Sequence, residues 1–365
     1  MDHNTADQLI EILLHYDLGE LIDFARDERG TVNTSFAIQT RQGRLERSFF
    51  LRRYKSAIQE HEIKFEHSLI KHLSRKKSPP VAGVHPTRNG RTYLQLPVKN
   101  NEDLPAFHAI FDYIPGEDRY TWVNPHCTDV EVCSSARVLA QFHRSVEDLI
   151  PAGRRVEPAI HELLPIIAEM IQSCPCKTRH TVFDSYLFEH TSLLLERIDR
   201  TLTTLNEPAS LEMPRLVIHC DYHPGNLKFQ GSQVSGVFDF DWSKLDYRCF
   251  DVALGLYYFF ADWEGNQEGG LRLPHVSLFL ENYQNELKRR SLTGPLSEIE
   301  LHYLPAMIEA SNLYVLNWTI LDFYSKIVDP EEYLTYAIHA VENAKWFDRP
   351  GNRAKLEQAI RSTPN

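Results

Sequence analysis

The chain has 365 residues with 50 acidic and 39 basic side chains, a formal net charge of −11. This acidic balance argues against a nucleic-acid partner, because contacts to a phosphate backbone need clustered Lys and Arg. No apolar run approaches the roughly 18 residues that span a bilayer, and the N-terminus lacks the basic segment of a signal peptide, so no membrane partner is expected. The scattered cysteines predict free thiols in a reducing cytoplasm.

The first third of the chain predicts a small antiparallel sheet. Short apolar segments alternate with turns that contain glycine, which is the pattern of strands joined by hairpins. An apolar repeat at helical spacing over 57–73 predicts a helix after the third strand. The predicted strands lie at 21–24, 36–40, 48–54, 93–97 and 107–116.

Most of the chain after Gly116 predicts helices. Residues 130–150 repeat apolar side chains at helical spacing, and 157–206 hold two or three further amphipathic helices. More helices are predicted at 251–263, 274–292, 298–325, 329–346 and 351–362. The expected fold class is therefore α+β, with a small sheet-bearing N-terminal lobe and a large, mainly helical C-terminal lobe.

One motif in the C-terminal part carries a recognisable set of polar groups. His219-Cys-Asp-Tyr-His-Pro-Gly-Asn226 follows a short apolar strand. Asp239-Phe-Asp-Trp242 begins near the end of the second strand, predicted over 234–240, of a hairpin with its turn at Gly231. The Pro-Gly turn brings Asn226 back towards Asp221. Phosphoryl transfer from a magnesium nucleotide needs one Asp to accept the proton of the attacking hydroxyl, and an Asn oxygen and a second Asp to hold the metal.

The form His-x-Asp-x-His-x-x-Asn with Asp-Phe-Asp-Trp resembles the aminoglycoside phosphotransferase and choline kinase group, which includes type II homoserine kinases. The resemblance implies a bilobal, protein-kinase-like fold and an ATP- and Mg²⁺-dependent transfer to a small-molecule hydroxyl. Asp221 matches the catalytic base, and Asn226 and Asp239 match the metal ligands. His219 matches a histidine that braces the catalytic loop, and Asp251 an acidic residue that anchors it.

The resemblance also implies a nucleotide site in the N-terminal lobe. Gly30 and Asn33 lie in a turn similar to the phosphate-covering loop of the family. Arg52 stands where family members usually carry a lysine that contacts the phosphates. Glu66 matches the helix glutamate that holds this cation, with Glu62 as the alternative.

The segment 107–116 resembles the hinge between the lobes of a kinase. The backbone of Asp112 to Ile114 is then expected to pair with adenine. The resemblance implies an N-terminal nucleotide-binding lobe over 1–111 and a C-terminal catalytic and acceptor-binding lobe over 112–365, with the hinge at about 111–116.

Candidates for binding the acceptor must lie near Asp221 and after Asp239. Aromatic and acidic side chains in this region suit an amine-bearing acceptor through cation–π and ionic contacts. The candidates are Asp241, Trp242, Asp246, Trp263 and Glu264.

Several alternatives remain open on the sequence. The acceptor could be an amino acid such as homoserine, an amino alcohol or an amino sugar, and a protein Ser/Thr kinase of the same fold is a further alternative. A non-catalytic nucleotide-binding regulator would be consistent with Arg52. His219, Asp221 and His223 could instead bind zinc or iron, because alternate residues of a strand share a face. The oligomeric state and the preference between ATP and GTP are not indicated.

Overall fold

The computed structural model describes residues 3–27, 32–97, 106–177, 179–265, 268–288 and 291–362. The chain divides into two units. The N-terminal unit comprises the described residues of Met1–Gly116 together with Leu149–Arg155 and Ser235–Phe238. The C-terminal unit comprises those of Glu117–Asp148, Val156–Val234 and Asp239–Asn365.

The N-terminal unit is built on an antiparallel sheet with strand order β1-β2-β3-β5-β4. The alternation of apolar side chains predicts these strands correctly, apart from their ends. Their bounds are β1 Glu20–Asp27, β2 Thr34–Gln42, β3 Leu45–Arg53, β4 Leu94–Leu96 and β5 Ala106–Asp112.

Two helices accompany this sheet. α1 (His3–Leu13) was not predicted, and its apolar face packs on the sheet. α2 (Glu60–Lys76) begins three residues later than predicted because Gln59 and Glu62 form a capping box. The core shared by α1 and the sheet consists of Leu9, Ile12, Leu13, Tyr16, Leu18, Ile38, Phe49, Leu51 and Ile110.

The C-terminal unit is mainly helical, as predicted. Capping boxes start three of its helices, at Thr128, Thr181 and Ser297. The helices are α3 Asp129–Val146, α4 Ile160–Ser173, α5 Val182–Leu205, α6 Arg248–Phe260, α7 Leu273–Leu287, α8 Glu298–Ser325, α9 Pro330–Asp348 and α10 Asn352–Arg361. In the described ranges, no helix has the length and apolar character needed to cross a membrane.

Two short strand pairs carry the motif residues. β6 (Arg215–Ile218) pairs antiparallel with β9 (Lys244–Tyr247), and β7 (Leu227–Gln230) pairs with β8 (Gln233–Val237). β9 was not predicted, and its four residues, Lys-Leu-Asp-Tyr, are too few to show a clear alternation. The sequence predicts that β8 continues to Phe240, but it ends at Val237. The left-handed backbone of Asp239, with φ of +63°, cannot continue a strand.

Candidate active site

The catalytic loop begins directly after β6 and brings Asp221 and Asn226 together. The carboxamide nitrogen of Asn226 donates to Oδ2 of Asp221 and to the backbone carbonyl of the same residue, each at 2.9 Å. A short 3₁₀ turn over Pro224–Asn226 makes this return possible. The predicted approach of these two residues is therefore present in the structure.

Asp221 lies in a partly buried position beside two histidines, and its side chain keeps 19% of its surface exposed. Burial alone would raise the pKa of this carboxyl. The imidazole of His223, whose Nε2 lies 3.6 Å from Oδ2, lowers the pKa instead. His219 and Asn226 lower it further. The pKa of Asp221 is consequently lowered below its ordinary value, so the group is ionised at neutral pH and can accept a proton.

The oxygens near Asp221 suit a hard divalent cation. Because the nitrogen of the Asn226 carboxamide faces Asp221, its oxygen edge is turned away and remains suitable as a metal ligand. Asp239 lies two residues beyond the end of β8 and has a left-handed backbone with φ of +63°. Mg²⁺ binds through one or two protein oxygens plus water and phosphate oxygens, so an amide oxygen and a carboxylate are ligand types that it accepts.

The alternative zinc or iron centre does not form among the residues that the structure describes. No group of three His, Cys, Asp or Glu side chains there lies close enough to hold a metal ion. His219 is fully buried and packs its ring against Phe142 and Phe240, with centroids at 6.0 and 4.9 Å. Its ring therefore faces the core.

Asp251, on α6, bonds the backbone of the catalytic loop. Its carboxylate accepts from the backbone N–H of His219 at 2.9 Å and of Cys220 at 2.8 Å. His143 Nε2 lies 2.9 Å from the same group, and its Nδ1 lies 2.6 Å from the hydroxyl of Tyr283. Burial would raise the pKa of Asp251, but these hydrogen bonds lower it overall, so the carboxylate stays charged.

The N-terminal unit contains a second cluster of charged groups, around Arg52 at the end of β3. Nη1 of Arg52 lies 3.2 Å from Oε1 of Glu66 on α2, and both side chains are almost completely buried. The hydroxyl of Tyr54 donates to Oε2 of Glu66 at 2.8 Å, and the guanidinium lies over the ring of Phe111. The cation on the strand is thus held by the helix glutamate.

The other nucleotide-binding candidates that the structure describes contact residues of the same N-terminal unit. Oδ1 of Asn33 accepts from the backbone N–H of Lys55 at 3.0 Å. The backbone N–H of Asp112 donates to the carbonyl oxygen of Gly83 at 2.8 Å. Ile114 packs on Gly236, where a Cβ would collide with it. Gly30 lies outside the described residues.

Among the acceptor candidates, Trp263 belongs to a cluster of aromatic side chains. It stacks on His339 at 3.6 Å and meets Trp122 and Tyr336 edge to face at 5.3 and 6.1 Å. Glu264 follows it at an exposed position. Trp122 also contacts Tyr258, whose ring lies 5.2 Å from that of His223. Contacts between neighbouring side chains therefore lead from Trp263 through Trp122 and Tyr258 to His223, which lies beside Asp221.

The other acceptor candidates, Asp241, Trp242 and Asp246, lie outside the cluster of rings around Trp263 as far as the described ring contacts show. Asp241 is buried, and Trp242 contacts Trp318 with ring centroids 4.1 Å apart. Asp246 is completely buried, and its carboxylate accepts from the backbone N–H groups of Ile160 and of its own successor, each at 2.8 Å. It therefore offers no exposed surface to an acceptor in this structure.

Sequence reasoning missed several residues that lie at the site. Trp122 and Tyr336 come together across 214 residues of chain, so no local pattern marks either of them. Tyr258 stands in the aromatic stretch that the sequence indicated, and its spacing of seven residues after Asp251 on α6 could have suggested a position near the loop.

A family model described as "Phosphotransferase enzyme family" matches residues 23–277 of this chain. A homoserine kinase of Bradyrhizobium sp. strain BTAi1 is 26% identical over 339 residues, which cover 91% of this chain and 90% of that protein. The homoserine kinase of Parvibaculum lavamentivorans is 26% identical over 337 residues, which cover 90% of this chain and 92% of that protein.

Solved structures of kinases share the fold. A microcompartment-associated aminopropanol kinase aligns with a TM-score of 0.66 and 17% identity, covering 97% of this chain and 99% of that one. An amicoumacin kinase in complex with AMP-PNP and Ca²⁺ aligns with a TM-score of 0.63 and 14% identity over 94% of both chains. Choline kinase from Cryptosporidium parvum aligns with a TM-score of 0.61 and 16% identity, covering 98% of this chain and 99% of that one.

These likenesses confirm the predicted bilobal, kinase-like α+β fold. They also confirm the resemblance that the motif over 219–242 indicated. Since the family model covers more than half of its length, the chain belongs to the phosphotransferase enzyme family.

Proposed function

We propose that this phosphotransferase moves the γ-phosphoryl group of ATP, in the presence of Mg²⁺, to a hydroxyl of a small molecule. The acceptor oxygen forms a bond to the γ-phosphorus, and the bond from phosphorus to the bridging oxygen of ADP breaks. The hydroxyl proton passes to Asp221. The observation that carries this proposal is the ionised Asp221 carboxylate held by the Asn226 amide at 2.9 Å.

Each part of the site has a role in this reaction. Asn226 and Asp239 would hold Mg²⁺, which neutralises charge on the phosphates when it is bound. Arg52 contributes a fixed positive charge for the phosphate oxygens, because Glu66 and the ring of Phe111 hold its guanidinium. The adenine would pair with the backbone after Asp112. A reaction that consumes ATP supports a cytoplasmic location.

Homoserine is the first acceptor to test. The curated relatives that match over about nine-tenths of both chains are homoserine kinases, which supports an amino acid with a terminal hydroxyl. The aromatic rings of Trp122, Tyr258 and Trp263 support an acceptor with an ammonium group, through cation–π contacts. Ethanolamine, aminopropanol, choline and hexosamines are therefore the comparison compounds.

The experiment measures ADP release and phosphorylated product with each compound, with ATP and with GTP. Asp221→Asn removes the proton acceptor but keeps the side-chain shape, and we expect a loss of turnover of roughly a hundredfold or more with nucleotide binding retained. Asp199→Asn is the matched control, because Asp199 is an exposed aspartate on α5. Chelation of Mg²⁺ is expected to abolish transfer, and adding it back should restore transfer.

Turnover of one compound by the wild type and the control, but not by Asp221→Asn, would establish the reaction and its acceptor. Equal turnover by Asp221→Asn and the wild type would contradict the role given to Asp221. Binding of Mg-ATP without transfer to any compound of the panel would contradict the proposed acceptor class.

A further inference from the structure

A buried tyrosine of α8, Tyr314, contacts the residue immediately before the proposed base. The thiol of Cys220 donates to the hydroxyl of Tyr314 at 3.4 Å. The same hydroxyl donates to Oε1 of Glu157 at 3.1 Å. Tyr314 and Cys220 are each at most 2% exposed. The hydroxyl therefore bridges the catalytic loop and the segment that precedes α4.

A buried lysine fixes the glutamate to which Tyr314 donates. Nζ of Lys244, on β9, lies 2.8 Å from Oε1 of Glu157, 2.8 Å from the carbonyl oxygen of Pro158 and 3.4 Å from Oδ2 of Asp246. It also lies over the ring of Tyr314, 5.3 Å from the centroid. Because Lys244 is 1% exposed, these contacts are shielded from water and hold their geometry.

Tyr314 also reaches the second motif segment. Trp318 lies one helical turn later on α8, with its ring centroid 6.3 Å from that of Tyr314. Trp318 packs on Trp242 at 4.1 Å, three residues beyond Asp239. One side chain of α8 thus has contacts, direct or through one neighbour, to the segments that carry Asp221 and Asp239.

Both of these segments contain a residue in the left-handed region. Cys220 and Asp239 each have φ of +63°, although neither is glycine. Such a conformation is unfavourable for residues other than glycine and persists only where surrounding contacts over-determine it. Asp251 provides some of these contacts to Cys220 through the backbone. Tyr314 provides a side-chain hydrogen bond to Cys220.

We propose that Tyr314, held by Glu157 and Lys244, is a positioning residue that fixes the catalytic loop relative to the Asp239–Trp242 segment. It does not touch the reacting groups, and it acts through Cys220 on one side and Trp318 on the other. The kinetic consequence rests on the proposed phosphotransfer. The structural consequence, restraint of Cys220, does not depend on that function.

The kinetic test compares Tyr314→Phe with the wild type. The substitution removes the bridging hydroxyl and keeps the ring over Lys244. Misplacement of a reacting group by about 1 Å can cost a hundredfold, so we expect kcat to fall roughly tenfold or more while the KM values for ATP and acceptor stay unchanged. Tyr303→Phe is the matched control: Tyr303 is a buried tyrosine of the same helix, and its hydroxyl also donates to a glutamate, Glu207, at 2.8 Å.

A second readout does not require activity. The rate of alkylation of each thiol is measured by mass spectrometry in the folded protein. Loss of one buried hydrogen bond is expected to raise the rate at Cys220 in Tyr314→Phe by roughly fivefold or more. Cys249, which is fully buried on α6 and donates to Glu300, is the internal reference and should not change.

Substitutions of Glu157 test the other side of the bridge. Glu157→Gln keeps an oxygen that can accept from Tyr314 but removes the charge that pairs with Lys244, so kcat and the Cys220 alkylation rate should lie between those of the wild type and of Glu157→Ala. Glu157→Ala removes the acceptor and should behave like Tyr314→Phe.

Unchanged kcat and unchanged Cys220 alkylation in Tyr314→Phe would overturn the proposal. An equal fall in kcat in Tyr303→Phe would also overturn it, because the effect would then be a general one of α8. If the wild type itself transfers phosphate to no acceptor, the proposed function fails, and the alkylation rates alone decide whether Tyr314 restrains the loop.

Discussion

Arg52 illustrates how one side chain can combine charge and packing. It stands where the family resemblance predicts lysine, and its guanidinium is almost completely buried between Glu66 and two aromatic rings. A guanidinium presents a planar set of donors and never loses its proton in a protein. Under the proposed function, the guanidinium that bonds Glu66 also faces the phosphate oxygens.

Replacing Arg52 by Met should affect both stability and nucleotide binding. Removal of one partner from a buried ion pair leaves the other charge uncompensated, so we expect the free energy of unfolding to fall by about 3 kcal/mol. The KM for ATP should rise roughly tenfold or more through loss of a charge-assisted contact. Urea denaturation and steady-state kinetics measure the two effects.

Arg41→Met is the control for this substitution. Arg41 pairs with Glu46 in the same sheet, but both side chains are more than half exposed, at 54% and 56%. Exposed pairs contribute about 0–1 kcal/mol, and Arg41 is not part of the proposed site. A similar loss of stability in both variants would contradict the argument from burial.

At the scale of elements, α6 supports the catalytic loop through Asp251. The carboxylate receives hydrogen bonds from two consecutive backbone N–H groups and from His143 of α3. Three elements thus meet at one buried charge: the loop after β6, α3 and α6. The position of the loop depends on this meeting point because the left-handed Cys220 cannot be held by strand pairing.

Asp251→Asn should loosen the loop and destabilise the C-terminal unit. An amide cannot accept all of these bonds, and its nitrogen would face other donors. Hydrogen bonds to charged groups contribute about 1.5–3 kcal/mol each, so the free energy of unfolding should fall by about 3 kcal/mol or more, with a loss of kcat. Chemical denaturation measures the free energy of unfolding, and steady-state kinetics measure kcat. The control, Asp199→Asn, should change the free energy of unfolding by no more than about 0.5 kcal/mol.

The elements that the sequence predicted well are those with a strong local pattern. The alternation in β1 to β3 and the apolar repeats of α3 and α8 gave nearly correct bounds, and the motif placed Asn226 beside Asp221. Residues such as Tyr314 and Trp122 could not be predicted in the same way. Tyr314 contacts Cys220 across 94 residues of chain, and only the packing of α8 brings them together.

For the whole molecule, buried histidines in each unit link stability to pH. Burial lowers the pKa of His67 and of His339 to about 3. In the unfolded chain the pKa of histidine is about 6.5. The unfolded state therefore binds more protons than the folded state as the pH falls below that value, and the free energy of unfolding decreases with it.

The contribution of one histidine can be isolated with His339→Phe. Both ring nitrogens of His339 lack a partner among the contacts of the described residues, and an aromatic ring keeps the stack on Trp263. Each such histidine contributes a slope of up to about 1.4 kcal/mol per pH unit between its two pKa values. Urea denaturation between about pH 6.5 and 4 should give a shallower slope for the variant. Identical slopes would contradict a neutral, buried His339.

The arginine at the end of β3 has a consequence for how proteins of this kind are found in cell extracts. A reagent that acylates a nucleotide site needs an amine there, such as that of a lysine. The guanidinium of Arg52 stays protonated and offers no free amine for acylation. In cell extracts, a nucleotide analogue that acylates amines would, under the proposed function, leave this chain untagged at Arg52.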